Sequence, residues 1–199
     1  GASTVCGSCK PLLGQLLGAV EVAPVMAART LTAAALVVMV AALLWLLPFS
    51  LPYADTVQAS LRVDALWRSG LFKQASGFTL LALSLVLALV SVRKRVRRLY
   101  RGEFDGWRLL HVLAGVLTVG VLVAHTGFRL GDNLNFYLMC VFTGLLLAGA
   151  AASAAVGLQH VLPMALARRT RELSIWGHVL LLWPLPALLG FHVLKTYWY

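Results

Sequence analysis

The stretch LLHVLAGVLTVGVLVAHTGF, residues 109–128, decides the fold class of this chain. It contains no Asp, Glu, Lys or Arg. A helix of about twenty residues is about 30 Å long, which matches the hydrocarbon core of a bilayer. The segment therefore predicts a membrane-spanning helix, and its two histidines, His111 and His125, would lie at two depths in that helix.

The composition of the whole chain agrees with this prediction. Of 199 residues, 60% are hydrophobic and 12% are charged, whereas soluble domains are about 45–50% apolar and about 25% charged. These values exclude a soluble globular domain, a disordered chain and a coiled coil. We expect an all-α integral membrane protein that works in contact with membrane lipid.

Five apolar runs are long enough to cross a bilayer. The predicted spans are Thr30 to about Tyr53, Gln74 to Val92, Leu109 to about Phe128, Leu134 to Leu158, and Leu173 to about Leu194. We expect them to form a five-helix bundle in a domain of residues 28–199, preceded by a short segment of residues 1–27.

The positive charge of the chain predicts how it is oriented. The net charge is +10, from 17 Lys and Arg against 7 Asp and Glu, and arginines cluster in the loops after the second and fourth spans (93–98 and 168–171). Because cytoplasmic loops are enriched in Lys and Arg, both loops are predicted to be cytoplasmic. The chain would then lie in the plasma (inner) membrane with its N-terminus on the cytoplasmic side and its C-terminus on the outer side. Membrane orientation explains the charge more simply than nucleic-acid binding does.

Four of the five histidines fall into two pairs with one spacing. His111 and His125 lie in the third span, His178 and His192 in the fifth, and each pair is 14 residues apart. At about 100° per residue, the two members return to within about 40° of one helix face and are about 21 Å apart along the axis. The two spans run in the same direction, so we predict His111 level with His178 and His125 level with His192.

This arrangement predicts two b-type haems, one above the other, each held by one imidazole from each helix. The alternative is that the histidines are packing or proton-relay residues. His160 lies outside the pattern and is predicted to be interfacial.

Two further groups of residues suit such a site. The haem carboxylates need cations, for which we expect Arg108, Arg168 and Arg169 at the inner haem and Arg129 and Lys195 at the outer one. Small residues leave room for flat macrocycles: Ala114, Gly115, Gly120, Ala124, Gly127, Gly177 and Gly190.

The histidine pattern is similar to that of the ferric reductase-like transmembrane cytochromes b. The residues that carry the resemblance are Leu110-His111, His125-Thr126, Gly177-His178 and Phe191-His192, and it covers roughly 80–194. This superfamily includes NADPH oxidases, iron reductases and the haem subunit of a bacterial methionine sulfoxide reductase system. The resemblance implies two haems b and electron transfer across the membrane as part of an oxidoreductase.

The chain also departs from that superfamily. Its members commonly have six spans, whereas five are predicted here, and we expect no flavin or nicotinamide domain in this chain. Respiratory cytochrome b subunits also hold two haems among a few helices, so the resemblance leaves both families open.

The N-terminal residues carry a second resemblance. Cys6-Gly7-Ser8-Cys9-Lys10-Pro11 looks like the end of a BFD-like (bacterioferritin-associated ferredoxin-like) [2Fe-2S] domain, with a short helix predicted from Pro11 to about Val20. Two cysteines cannot hold the cluster alone, and Cys140 is predicted to be a buried packing residue of the fourth span. Either the first half of the domain is missing from this chain, which does not begin with Met, or the pair is a relic or a redox thiol.

Together these features favour an electron-transfer subunit or domain of a membrane oxidoreductase. A cytoplasmic iron-sulfur or flavin donor would supply electrons, and an external redox partner or the quinone pool would accept them. The chain could carry out this transfer as one subunit of a multi-subunit complex. The alternatives are a quinol-oxidising cytochrome b anchor or a non-catalytic membrane anchor. In the first, arginines with Glu103 and Asp105 near the inner haem could shape a quinone pocket, although no motif in the sequence marks one. No acidic residue lies deep in a span, which argues against a proton-coupled transporter.

Overall fold

The computed structural model describes residues 27–46, 67–93 and 104–198. These parts of the chain form helices and contain no strand. The helices are α1 (Ala28–Leu46), α2 (Gly70–Arg93), α3 (Phe104–Thr126), α4 (Leu134–Gly157), α5 (Met164–Leu182) and α6 (Leu185–Trp198). The predicted all-α class is confirmed for the described residues.

Five helical segments in these residues are long and apolar enough to cross a membrane. They are Ala28–Leu46, Gly70–Leu89, Asp105–Thr126, Leu134–Gly157 and Ala165–Trp198. The predicted number of spans is confirmed to that extent. The predicted first span continues to about Tyr53, and its part beyond Leu46 lies outside the described residues, as do Cys6, Cys9 and most of the 93–98 loop.

The fifth segment differs from the prediction, because it starts earlier and consists of two helices. Proline has no N–H group, so Pro184 cannot donate to the carbonyl of Leu180 as a helix interior requires. The N–H of Trp183 donates to the Leu180 oxygen instead, at 3.3 Å, and α6 starts anew with the N–H of Leu188 donating to the Pro184 oxygen, at 3.0 Å. The break therefore lies between the two histidines of this segment.

The helices pack in two groups, which are joined by α1, by a smaller contact between α3 and α4, and by the ring contact of Phe78 with Tyr197. In one group α2 packs on α3, and in the other α5 and α6 pack on α4, while α1 contacts both α3 and α4. The contact between α1 and α4 is close, since a Cβ added to Gly157 would lie 3.0 Å from the backbone oxygen of Ala28. The buried cluster at the centre contains Ala35, Val38, Trp45, Leu80, Val119, Leu122, Met139 and Ala150.

The two helices that carry histidine pairs belong to different groups. Close packing joins α3 to α2 and α1, and it joins α5 and α6 to α4, but it does not join α3 to α5 or α6 among the described residues. The helices that carry the histidines are thus held in place by α1, α2 and α4, and not by close packing on each other.

The prediction that Cys140 is buried is wrong. Cys140 is an exposed free cysteine on α4. The packed face of α4 instead carries Met139, Thr143 and Ala150, which follow one helical stripe. Cys140 follows Met139 directly and so points away from that stripe.

Candidate functional site

The four histidines of the repeated pattern meet as two pairs. The ring centres of His111 and His178 are 6.2 Å apart, with the rings inclined by 68°. Those of His125 and His192 are 6.4 Å apart, with the rings inclined by 77°. The partners are the ones that the spacing predicted. We call His111 with His178 the inner pair and His125 with His192 the outer pair, after the predicted orientation.

Both spacings suit one metal ion between two imidazoles. A bond from a metal to an imidazole nitrogen is about 2 Å long, and the ring centre lies about 1.1 Å beyond that nitrogen, so the ring centres of two axial ligands are about 6.3 Å apart. The observed 6.2 Å and 6.4 Å lie on either side of this value.

The inner pair is oriented by backbone carbonyl groups. Nδ1 of His111 lies 3.2 Å from the Leu87 oxygen on α2, and Nδ1 of His178 lies 3.0 Å from the Leu145 oxygen on α4. A carbonyl oxygen only accepts, so Nδ1 must carry the proton and donate it. In that tautomer Nε2 carries the lone pair that binds a metal.

The outer pair is oriented by side chains. Nδ1 of His125 lies 2.8 Å from the Ser76 hydroxyl oxygen, and Nδ1 of His192 lies 2.9 Å from Oδ1 of Asn135. The Ser76 hydroxyl hydrogen is directed to the backbone oxygens of Phe72, at 2.8 Å, and Lys73, at 3.1 Å. With the hydroxyl hydrogen on its own helix, the serine oxygen is free to accept from His125, and all four histidines would then share one tautomer.

Two glycines let the histidine rings lie against neighbouring helices. A Cβ added to Gly77 would lie 3.3 Å from Cε1 of His125, and one added to Gly149 would lie 3.3 Å from Cε1 of His178. These distances are shorter than ordinary van der Waals contact. One histidine ring of each pair therefore packs directly against a glycine of a neighbouring helix.

Buried side chains lie between the two levels. Thr118 is seven residues from each histidine of α3, and Leu185 is seven residues from each histidine of the α5–α6 segment. Both are buried, and Thr118 is 0% exposed. The inner and outer pairs therefore belong to two sites with packed side chains between them.

The predicted inner cations are placed differently from one another. Arg108 lies on α3, one turn from His111, where it donates to Asp105 at 2.8 Å and is close enough to Arg171 on α5 to be repelled by it. Arg168 is exposed and donates to Glu172 on its own helix, also at 2.8 Å. Arg169 is exposed as well. Arg108 is thus the predicted inner cation that lies within one turn of an inner histidine and is not fully exposed.

Near the outer pair, the cations come from α2 and α6. Lys73 lies close enough to His125, and Lys195 close enough to His192, for their charges to interact with the rings. Lys73, Lys195 and the predicted Arg129 are all exposed. A group with carboxylates at this end would meet lysines from both sides.

The small residues that were predicted to make room fall into three sets. A Cβ added to Gly115, Gly120 or Gly190 would meet nothing within 4 Å. Ala114 is buried, and Gly177 faces Ala148 on α4. Gly127 is covered by the ring of Trp67, which also donates from Nε1 to the Ala124 oxygen at 2.7 Å. Gly127 and Ala124 therefore seat this tryptophan.

Sequence reasoning did not single out Ser76, Asn135 or Gly77. Each lies inside a predicted apolar span, and a polar or very small residue in such a span commonly marks a close helix contact. That signal would have flagged the positions. It could not have assigned them to particular histidines.

The comparisons with known proteins add no relative. Neither protein-family models, nor curated proteins, nor solved structures give a significant match to this chain. Within the described residues, no group of three or more His, Cys, Asp and Glu side chains converges on one point. What the site can hold follows from the two histidine pairs alone, and two protein ligands per iron is the number that a six-coordinate haem takes.

Proposed function

We propose that this chain is a membrane cytochrome b that transfers electrons between the two faces of the membrane through two haems. One haem would be held between His111 and His178, and the other between His125 and His192. The single observation that carries the proposal is the match of both pairs to the separation of two imidazoles on one iron. When bound, the haems supply reversible one-electron redox chemistry.

The residues of the chain would hold, orient and separate these groups. The four Nδ1 hydrogen bonds keep each Nε2 available for iron. Arg108 and Arg171 at one end, and Lys73 and Lys195 at the other, would pair with haem carboxylates, since hydrogen bonds between charged groups are stronger than neutral ones. Thr118 and Leu185 fill the level between the two sites.

The direction across the membrane is part of the proposal. The basic loops of the sequence favour a cytoplasmic N-terminus in the plasma membrane. A cytoplasmic iron-sulfur or flavin protein would then deliver electrons to the inner pair, with Cys6 and Cys9 as remnants or ligands of a [2Fe-2S] site. An external partner or a quinone would accept electrons at the outer pair, which makes the chain the electron-transfer part of an oxidoreductase.

Haem content after single substitutions tests the proposal. The purified chain, expressed with ample haem, should give b-type bands on reduction and two haems per chain in a pyridine haemochrome assay. His111→Ala and His178→Ala should each remove the same haem, and His125→Ala and His192→Ala should each remove the other. His160→Ala is the matched control and should keep both.

The proposal fails if the chain purifies without haem under these conditions. It also fails if the two members of one pair remove different haems, because the pairing itself would then be wrong.

A further inference from the structure

We infer that Ser76 and Asn135 are positioning residues that set the redox potential of the outer haem independently of the inner haem. The inference rests on the proposed function, because it concerns the same histidines. The two pairs have similar ring separations, but the groups that their Nδ1 atoms contact are different.

The difference lies in what accepts the Nδ1 protons. Both inner histidines donate to backbone carbonyls, those of Leu87 and Leu145. Both outer histidines instead have a side-chain partner at Nδ1, the Ser76 hydroxyl and the Asn135 amide oxygen, and His125 also meets the Lys73 backbone. A backbone acceptor is the same whatever residue stands there, whereas a side-chain acceptor changes with one substitution.

Ser76 is fixed for this role by its surroundings. It is buried, and its hydroxyl hydrogen is already directed to the backbone of its own helix. The oxygen is then placed to accept from His125 at 2.8 Å, and the next residue, Gly77, leaves room for the His125 ring.

Asn135 is fixed by its place in the first turn of α4. Its amide oxygen accepts from His192 at 2.9 Å, and it is only partly buried. Negative charge is favoured at a helix N-terminus, so an aspartate can replace this asparagine with the same shape.

The acceptor controls how strongly the imidazole donates electrons. A stronger acceptor draws the Nδ1 proton away and makes the ring more basic, which stabilises the oxidised iron and lowers its potential. Removing the acceptor has the opposite effect. The outer haem should therefore respond to changes at residues 76 and 135, and the inner haem should not.

A redox titration of the two-haem chain tests this inference. His111→Ala and His125→Ala, each retaining one haem, assign the two potentials. Ser76→Ala and Asn135→Leu should raise the outer potential, and Asn135→Asp should lower it, while the inner potential stays where it was. Ser84→Ala is the matched control, because Ser84 lies on the same helix and its hydroxyl donates to the Leu80 oxygen of that helix. This variant should move neither potential.

A second readout needs no haem. In haem-free protein with ¹⁵N-labelled histidine, nuclear magnetic resonance should show that Ser76→Ala lowers the Nδ1–H population of His125 and leaves that of His111 unchanged. This measurement decides the matter if a variant loses its outer haem.

The outcomes separate this inference from the proposed function. A parent chain that takes up no haem contradicts the proposed function. A chain with two haems whose outer potential is unmoved by all three variants, or whose two potentials move together, contradicts only the inference. An unchanged His125 tautomer in Ser76→Ala contradicts it as well.

Discussion

Gly149 shows how one missing side chain shapes the inner site. A Cβ added at residue 149 would lie only 3.3 Å from Cε1 of the His178 ring. Gly149→Val adds a branched side chain there and should push the imidazole off its axis toward His111. We expect the variant to lose the inner haem and keep the outer one, so that the pyridine haemochrome assay falls from two haems per chain to one.

Gly120→Val is the matched control for this prediction. Gly120 is exposed on α3, and an added Cβ would meet nothing within 4 Å. This variant should keep both haems. Equal haem loss from both variants would mean that valine acts through helix stability and not through the ring of His178.

Much of the site at residue level could be predicted, and the limit has a physical cause. The pairing of His111 with His178 follows from helix period and direction, both of which are local properties. The partners of the outer histidines do not, because Ser76 is 49 residues from His125 and Asn135 is 57 residues from His192. Such contacts depend on how the helices are rotated about their axes. Hydropathy alone does not fix that rotation.

At the level of helices, the prediction succeeded where apolar length decides the outcome. The α4 helix, Leu134–Gly157, lies within one residue of the predicted span. The fifth span was taken as one helix although Pro184 and Pro186 lie in it, because its hydropathy is continuous across the break. A proline in an apolar run ends or kinks the helix even where the membrane would accept an unbroken one.

The break at Pro184 should control the outer site. Pro184→Ala restores the N–H that residue 184 lacks, and together with Pro186→Ala it allows one continuous helix from α5 into α6. His192 would then rotate and shift relative to His125, while His178, before the break, would stay in place. We expect the double variant to bind the outer haem several-fold more weakly in a haem titration.

Pro163→Ala provides the comparison for the double variant. Pro163 caps the N-terminus of α5 and lies outside the stretch between the two histidines. It should leave both haem affinities close to those of the parent chain. If the double variant also bound both haems unchanged, the bend would have no part in placing His192.

On the scale of the whole molecule, different helices hold the bundle together and carry the histidines. The α1 helix packs on both α3 and α4, and its buried residues Ala35, Val38 and Trp45 form much of the central cluster. The histidine helices therefore do not need to pack on each other.

The two levels must act in series if electrons are to cross the membrane. Histidines 14 residues apart lie about 21 Å apart along a helix, so two levels place one redox group near each face of a core of about 30 Å, whereas one level leaves the opposite face without one. In vesicles that contain trapped ferricyanide, a membrane-impermeant reductant outside should reduce it through the parent chain and through His160→Ala. His111→Ala and His125→Ala should each slow this reduction at least tenfold, although each retains one haem. Transfer through either variant at the parent rate would show that electrons need only one of the two sites, and the series arrangement would be wrong even with both haems present.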